Sequence, residues 1–191
     1  MSKKILLLPV VAVLLVAFTT IQTTWKLDTV HSHLGFSVGH LSVSEIKGSV
    51  VITEATISTD AEDFSNATVN LKADMNTIDT DNEKRDAHLK TADFFDTAKF
   101  PDLTFQSTSF NKVGTDKYII SGNLTMHGIT KPVSLDASVK SGINPNNNKP
   151  ITGMKVTGII KRIDFEISKD APEAILSNDV AIEANLEFGK E

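Results

Sequence analysis

Residues 180–188 alternate without a break. Val180, Ile182, Ala184, Leu186 and Phe188 are interleaved with Ala181, Glu183, Asn185 and Glu187. Only an extended strand puts every second side chain on one face. On a helix the same order would scatter the apolar groups around the axis. The period recurs along the chain: in Leu34, Phe36, Val38 and His40; in Val69, Leu71, Ala73 and Met75; in Leu103 and Phe105; in Tyr118, Ile120, Leu124 and Met126; and in Val133, Leu135, Ala137 and Val139. Less regular strands are expected near 46–57 and 154–163. The sum is about eight strands in one domain. Gly114-Thr115-Asp116 and 144–148 have hairpin-turn chemistry, and 60–66 reads as an acidic loop. The one helical segment is expected near 81–95, with Thr80 and Glu83 at capping-box spacing and Asp81 and Arg85 four apart.

Strands with one apolar face leave two architectures, a pair of packed sheets or one sheet closed into a barrel. Alternation does not choose between them. Ala73, Gly122, Ala137, Gly158 and Ala184 are small residues in the middle of inward-facing sets. In an eight-stranded barrel they would leave space for one ligand. Tight packing or strand bending would use the same residues.

The first residues have the form of a secretory signal: Lys3 and Lys4, then an apolar run from Ile5 to Phe18. The run falls short of the ~20 residues of a membrane-spanning helix. Residues 1–22 are therefore read as a signal peptide, cut between Thr19 and Thr24, and 23–191 as the exported domain. Cleavage leaves 17 basic residues against 24 acidic ones, moving the net charge from −5 to −7. That balance argues against nucleic acid as a partner and against broad binding to an anionic membrane surface, and no stable membrane insertion is expected after signal cleavage. With no cysteine, the domain has no disulfide and must rely on its core.

Nothing in the chain suggests nucleophilic catalysis: there is no cysteine, no Gly-x-Ser-x-Gly elbow and no phosphate-cradling loop. No enzyme activity, cofactor or metal is expected. A metal hydrolase built on His31, His33 and His88 is the distant rival. Arg85 and Asp86 are adjacent on the expected helix and do not face each other. Arg85 could face an anionic head group such as a pyrophosphate, but the preferred reading is structural, a pairing with Asp81, Asp96 or Asp164. Arg162 and Asp164 follow the apolar Val156 and Ile160, so burial would require partners. His31, Arg85, Asp86, Arg162 and Asp164 are read together as a structural polar network.

Several blocks in fixed order resemble one bacterial family. They are Trp25-Lys26-Leu27-Asp28, Arg85-Asp86-x-His88-Leu89, Asp93-Phe94-Phe95-Asp96, Phe100-Pro101, Gly122-Asn123-Leu124-Thr125-Met126-His127-Gly128 and Lys161-Arg162-Ile163-Asp164-Phe165. Together they are similar to the YceI-like proteins. The chain departs from the family pattern at Glu166, where Gly usually follows. The resemblance implies an all-β fold: an eight-stranded antiparallel lipocalin-like β-barrel, periplasmic or secreted. It also implies a polyisoprenoid, isoprenoid quinone or fatty amphiphile as ligand, held by passive burial. Phe36, Val38, His40, Leu71, Ala73, Phe94, Phe95, Phe105, Leu124, Leu135, Ala137, Ile182 and Ala184 are the expected lumen or mouth residues. The competing function is a non-catalytic interaction or stress-response module whose barrel is filled by its own side chains. Oligomeric state is open.

Overall fold

The computed structural model describes residues 22–191, so positions 1–21 of the expected signal peptide lie outside the described residues. The strands are β1 (Thr23–His40), β2 (Ser44–Thr59), β3 (Thr68–Asp79), β4 (Asp102–Gly114), β5 (Lys117–Met126), β6 (Ile129–Ile143), β7 (Pro150–Lys161) and β8 (Leu176–Lys190). They run antiparallel in chain order around a closed barrel, with β1 bonded to both β2 and β8. Closure settles the choice between sandwich and barrel and removes free strand edges. One helix, α1 (Glu83–Leu89), and a 3-10 turn at Arg162–Phe165 complete the elements.

Up-and-down order sorts the connections to two ends. Turn 41–43, segment 80–101, turn 127–128 and loop 162–175 lie at the upper end. Loop 60–67 and turns 115–116 and 144–149 lie at the lower end. The β1–β8 register shifts between Asp28 and His33. A shift by one residue reverses which side chains face inward. That is why odd-numbered Trp25 and Leu27 join the same core as even-numbered Leu34 and Phe36.

The lower half of the barrel is solid. Ile57, Phe110 and Phe188 are fully buried there. Trp25 packs on Phe64 with ring centroids 5.5 Å apart, and Phe110 on Tyr118 at 4.9 Å. Phe64 comes from the acidic loop rather than from a strand. Asp63 anchors that loop across the barrel end. Its carbonyl accepts the Tyr118 hydroxyl at 2.6 Å, and its carboxylate accepts Lys112 Nζ at 2.8 Å and the Ser65 N–H at 3.1 Å. Lys112, then Ser65, hold the Asp63 carboxyl well below the usual carboxylate range. The Trp25 indole N–H is buried without a partner, a cost of about 1–3 kcal/mol.

Candidate functional site: an apolar lumen under a helical cap

The upper half is hollow. Its cavity has about 180 Å³ of space open to the centres of water-sized molecules. One water needs only ~10–15 Å³ by that measure, so the space suits a chain rather than a solvent molecule. All eight strands contribute to the wall. Phe36, Val38, Leu71, Leu135, Val180 and Ile182 face inward yet stay only partly buried, because the space before them is empty.

Phe36, Val38, Leu71, Phe94, Phe95, Phe105, Leu124, Leu135, Ile182 and Ala184 line the cavity. His40, Ala73 and Ala137 do not. His40 ends β1 at the rim, where its carbonyl accepts the Val43 N–H of the turn at 3.2 Å. Ala73 is fully buried and paired with Ile52 and Leu103, too short to reach past its neighbours. Ala137 pairs with Tyr118, at the level of the aromatic floor. Val50, Leu89, Met154 and Ile167 also belong to the wall. Val50 and Met154 sit in the strands whose alternation is less regular, where β2 also carries register shifts. Leu89 and Ile167 come from connections, where period two gives no signal.

The central glycines do not open the lumen; of the two uses the sequence allows for such small residues, tight packing is the one found at Gly122 and Gly158. A Cβ on Gly122 would lie 2.4 Å from Phe105 Cζ and 2.6 Å from the Gln106 carbonyl oxygen. One on Gly158 would lie 2.4 Å from Leu135 Cδ2. Each glycine accommodates a large side chain from the neighbouring strand, so small residues and wall residues are two halves of one packing arrangement.

Leu89, Phe94 and Phe95 come from the segment crossing the upper end. Asn82, not Thr80, caps α1, accepting the Arg85 N–H at 3.0 Å. Thr80 instead joins the helix to β3. Its hydroxyl donates to Asp86 Oδ1 at 2.5 Å and accepts from Arg85 Nε at 2.7 Å, while its carbonyl accepts from Arg85 Nη2 at 2.6 Å. The Asp86 carboxylate also accepts the Thr80 N–H at 3.0 Å. Arg85 therefore bonds Thr80 in place of the expected acids. This hydroxyl clasp fixes α1, and the capping phenylalanines follow from it, the Phe95 N–H bonding the Leu89 carbonyl and the Phe94 N–H the Thr91 carbonyl, both at 3.1 Å.

Arg162 is the one charged residue in the wall, and it is 3 % exposed. Its donors all end on backbone carbonyls. Nε bonds Ser177 at 3.1 Å, Nη1 bonds Ile167 at 3.1 Å and also Ser168, and Nη2 bonds Ala171 at 2.8 Å and Leu176 at 2.9 Å. These bonds use all five guanidinium N–H groups and shape loop 162–175. Asp164 is exposed, so the partners that burial of Arg162 requires are a cage of carbonyls rather than an ion-pair network. Burial pulls the Arg162 pKa down, and the charge of Glu173 opposes that shift. Glu166 takes the left-handed conformation, φ 57°, with its N–H on the Ile163 carbonyl. His127 Nδ1 donates to the Phe165 carbonyl at 2.8 Å, tying this loop to the β5–β6 turn.

The expected polar network is thus three separate devices. His31 belongs to neither of the two at the upper end: it bonds Asp28 through Nδ1 at 2.9 Å in the irregular stretch of β1. Among the described residues, Asp28, His31 and Glu187 are the one set of possible metal ligands within reach of each other. His33 and His88 are not in it.

Fold and lumen together define a lipocalin-like barrel with an apolar interior. The pattern of the YceI-like domain matches residues 25–188, and the chain belongs to that family. It is 36% identical over 173 residues to Protein YceI of Salmonella newport, covering 89% of this chain and 90% of the relative. It is 36% identical over 185 residues to UPF0312 protein ECA1782 of Pectobacterium atrosepticum, covering 95% and 94%. Among solved structures, the Campylobacter jejuni YCEI protein superposes with TM-score 0.70 at 28% identity, covering 80% of this chain and 90% of that one. Burkholderia cenocepacia BcnA gives 0.75 at 20% identity (84% and 98%). A polyisoprenoid binding domain from Saccharophagus degradans gives 0.62 at 15% (87% and 98%).

Proposed function

We propose that this protein is an exported, non-catalytic carrier that buries the hydrocarbon tail of an amphiphile in the upper lumen. The observation that carries the reading is a hollow whose wall is apolar except for Arg162, an arginine with every donor engaged. Such a lumen recognises a tail and has no free polar group for a head. The head stays at the upper end, beside α1 and loop 162–175. Burial of each CH₂ contributes about 0.8 kcal/mol, so a prenyl or alkyl chain needs no specific chemistry to be held. The structural neighbour described as polyisoprenoid-binding supports an isoprenoid as the first candidate. Export rests on the basic and apolar residues at the N-terminus.

The test is protein exported from a bacterial host and purified without detergent. Native and denaturing mass spectra are compared, and any released molecule is identified. A stoichiometric amphiphile, or uptake of added prenyl or fatty compounds by the empty protein, is expected. Neither one occurring would overturn the carrier reading and favour a surface-acting module. An N-terminus beginning between Thr19 and Thr24 is expected in the same sample.

A further inference from the structure

The geometry points to a length limit: the aromatic floor stops an enclosed tail at about a dozen carbons. This rests on the carrier reading and adds the class of ligand that fits inside. On four strands the lumen ends above an aromatic residue that does not line it. Leu186 lines it, and the next inward residue, Phe188, does not. Ile120 lines it and Tyr118 does not. Phe105 lines it and Phe110, beyond the β4 register shift, does not. Leu34 lines it and Trp25 does not. Beneath lies Phe64, fastened by the Asp63 contacts, so the lower end offers no second exit.

From Met154 to Ile160, the extent of the lumen along β7, whose ladders carry no register shift, the chain advances ~20 Å at about 3.3 Å per residue. A barrel tilt of ~40° reduces that to a depth of roughly 15 Å. A zigzag carbon chain with bonds of ~1.5 Å advances about 1.3 Å per carbon, which gives ~12 carbons. Single-tailed amphiphiles of that length, or two to three isoprene units, are enclosed. Longer tails project from the upper end, and their extra carbons add nothing to affinity.

The experiment is displacement of a fluorescent fatty-acid probe by saturated fatty acids of increasing length, below their micelle concentrations. Affinity is expected to rise about fourfold per CH₂ to roughly twelve carbons and then level off. Met154→Phe, which adds bulk at the bottom of the lumen, should move the break to shorter chains. Phe188→Leu, which lowers the floor, should move it to longer ones. Affinity that climbs steadily through eighteen carbons would overturn the limit and leave the carrier reading intact. So would a break unmoved in the folded variants. No binding at any length would overturn both. The wild-type series keeps the limit exposed to refutation even if a variant fails to fold.

Discussion

Phe105 lies so close over Gly122 that a Cβ on the glycine would fall 2.4 Å from the ring's Cζ. The ring is part of the lumen wall, so the missing side chain on β5 fixes the wall on β4. Gly122→Ala must push the ring into the lumen and strain the strand against the Gln106 carbonyl, 2.6 Å from the same point. The expected loss is about 1–3 kcal/mol, read by urea denaturation. Adding Phe105→Leu should recover part of it, because the ring conflict goes while the backbone conflict stays. A double variant no more stable than Gly122→Ala would show that the ring is not the obstacle.

Arg162 should be irreplaceable by lysine. Lysine carries three donors where arginine has five, and the carbonyls of Ile167, Ser168, Ala171, Leu176 and Ser177 surround the group. Orphaned carbonyls cost ~1–3 kcal/mol each, less than additively. Arg162→Lys should therefore destabilise by roughly 3 kcal/mol or more. Loop 162–175 should become the first site of proteolytic cleavage. Unchanged stability and cleavage would mean the cage contributes little.

Glu166→Gly should stabilise. The residue holds φ 57° and ψ 20°, a conformation that costs a non-glycine residue about 1 kcal/mol or more. The Lys169 contact it would lose is an exposed pair at 3.4 Å, of little value. A gain of about 1 kcal/mol in thermal or urea denaturation is expected. The site therefore keeps the backbone geometry associated with the family's usual Gly while carrying a side chain that opposes it.

His31 and Asp28 make an exposed pair whose strength follows pH. The hydrogen bond from His31, then that from the Val30 N–H, lowers the Asp28 pKa from 3.8; Asp28 raises the His31 pKa from 6.5. The raised His31 value means its contribution is full below pH 6.5 and fades as pH rises through the folded value. The lowered Asp28 value means its contribution is present above pH 3.8 and is lost as pH falls through the folded value. An NMR titration of the His31 ring should give a midpoint above 6.5. Asp28→Asn should bring it down. A midpoint indifferent to Asp28 would remove the pair as its cause.

Strand positions and inward faces were legible because burial on one side of a sheet leaves a period-two record in each strand. Phe36, Leu71, Phe105, Leu135 and Ile182 could be assigned to an inward face on that ground alone. Barrel closure was not legible, since a sandwich leaves the same record; the pairing of β1 with β8 decides it. Nor was the role of the glycines. Whether Gly122 leaves a space or admits a ring depends on Phe105, which is near in space but lies seventeen positions away in the chain.

The sequence by itself determined the number of strands, the alternation of their faces and the lack of disulfides, all consequences of local periodicity and composition. Only the tertiary structure decided that the lower half is packed solid and the upper half hollow. Phe64 fills the lower end from a loop whose composition gives no hint of burial, held there by Asp63, Lys112 and Tyr118. Arg162 finds its partners among the backbone carbonyls of the loop that follows it. Backbone groups are the same at every residue, so their convergence on one side chain leaves no trace in the sequence.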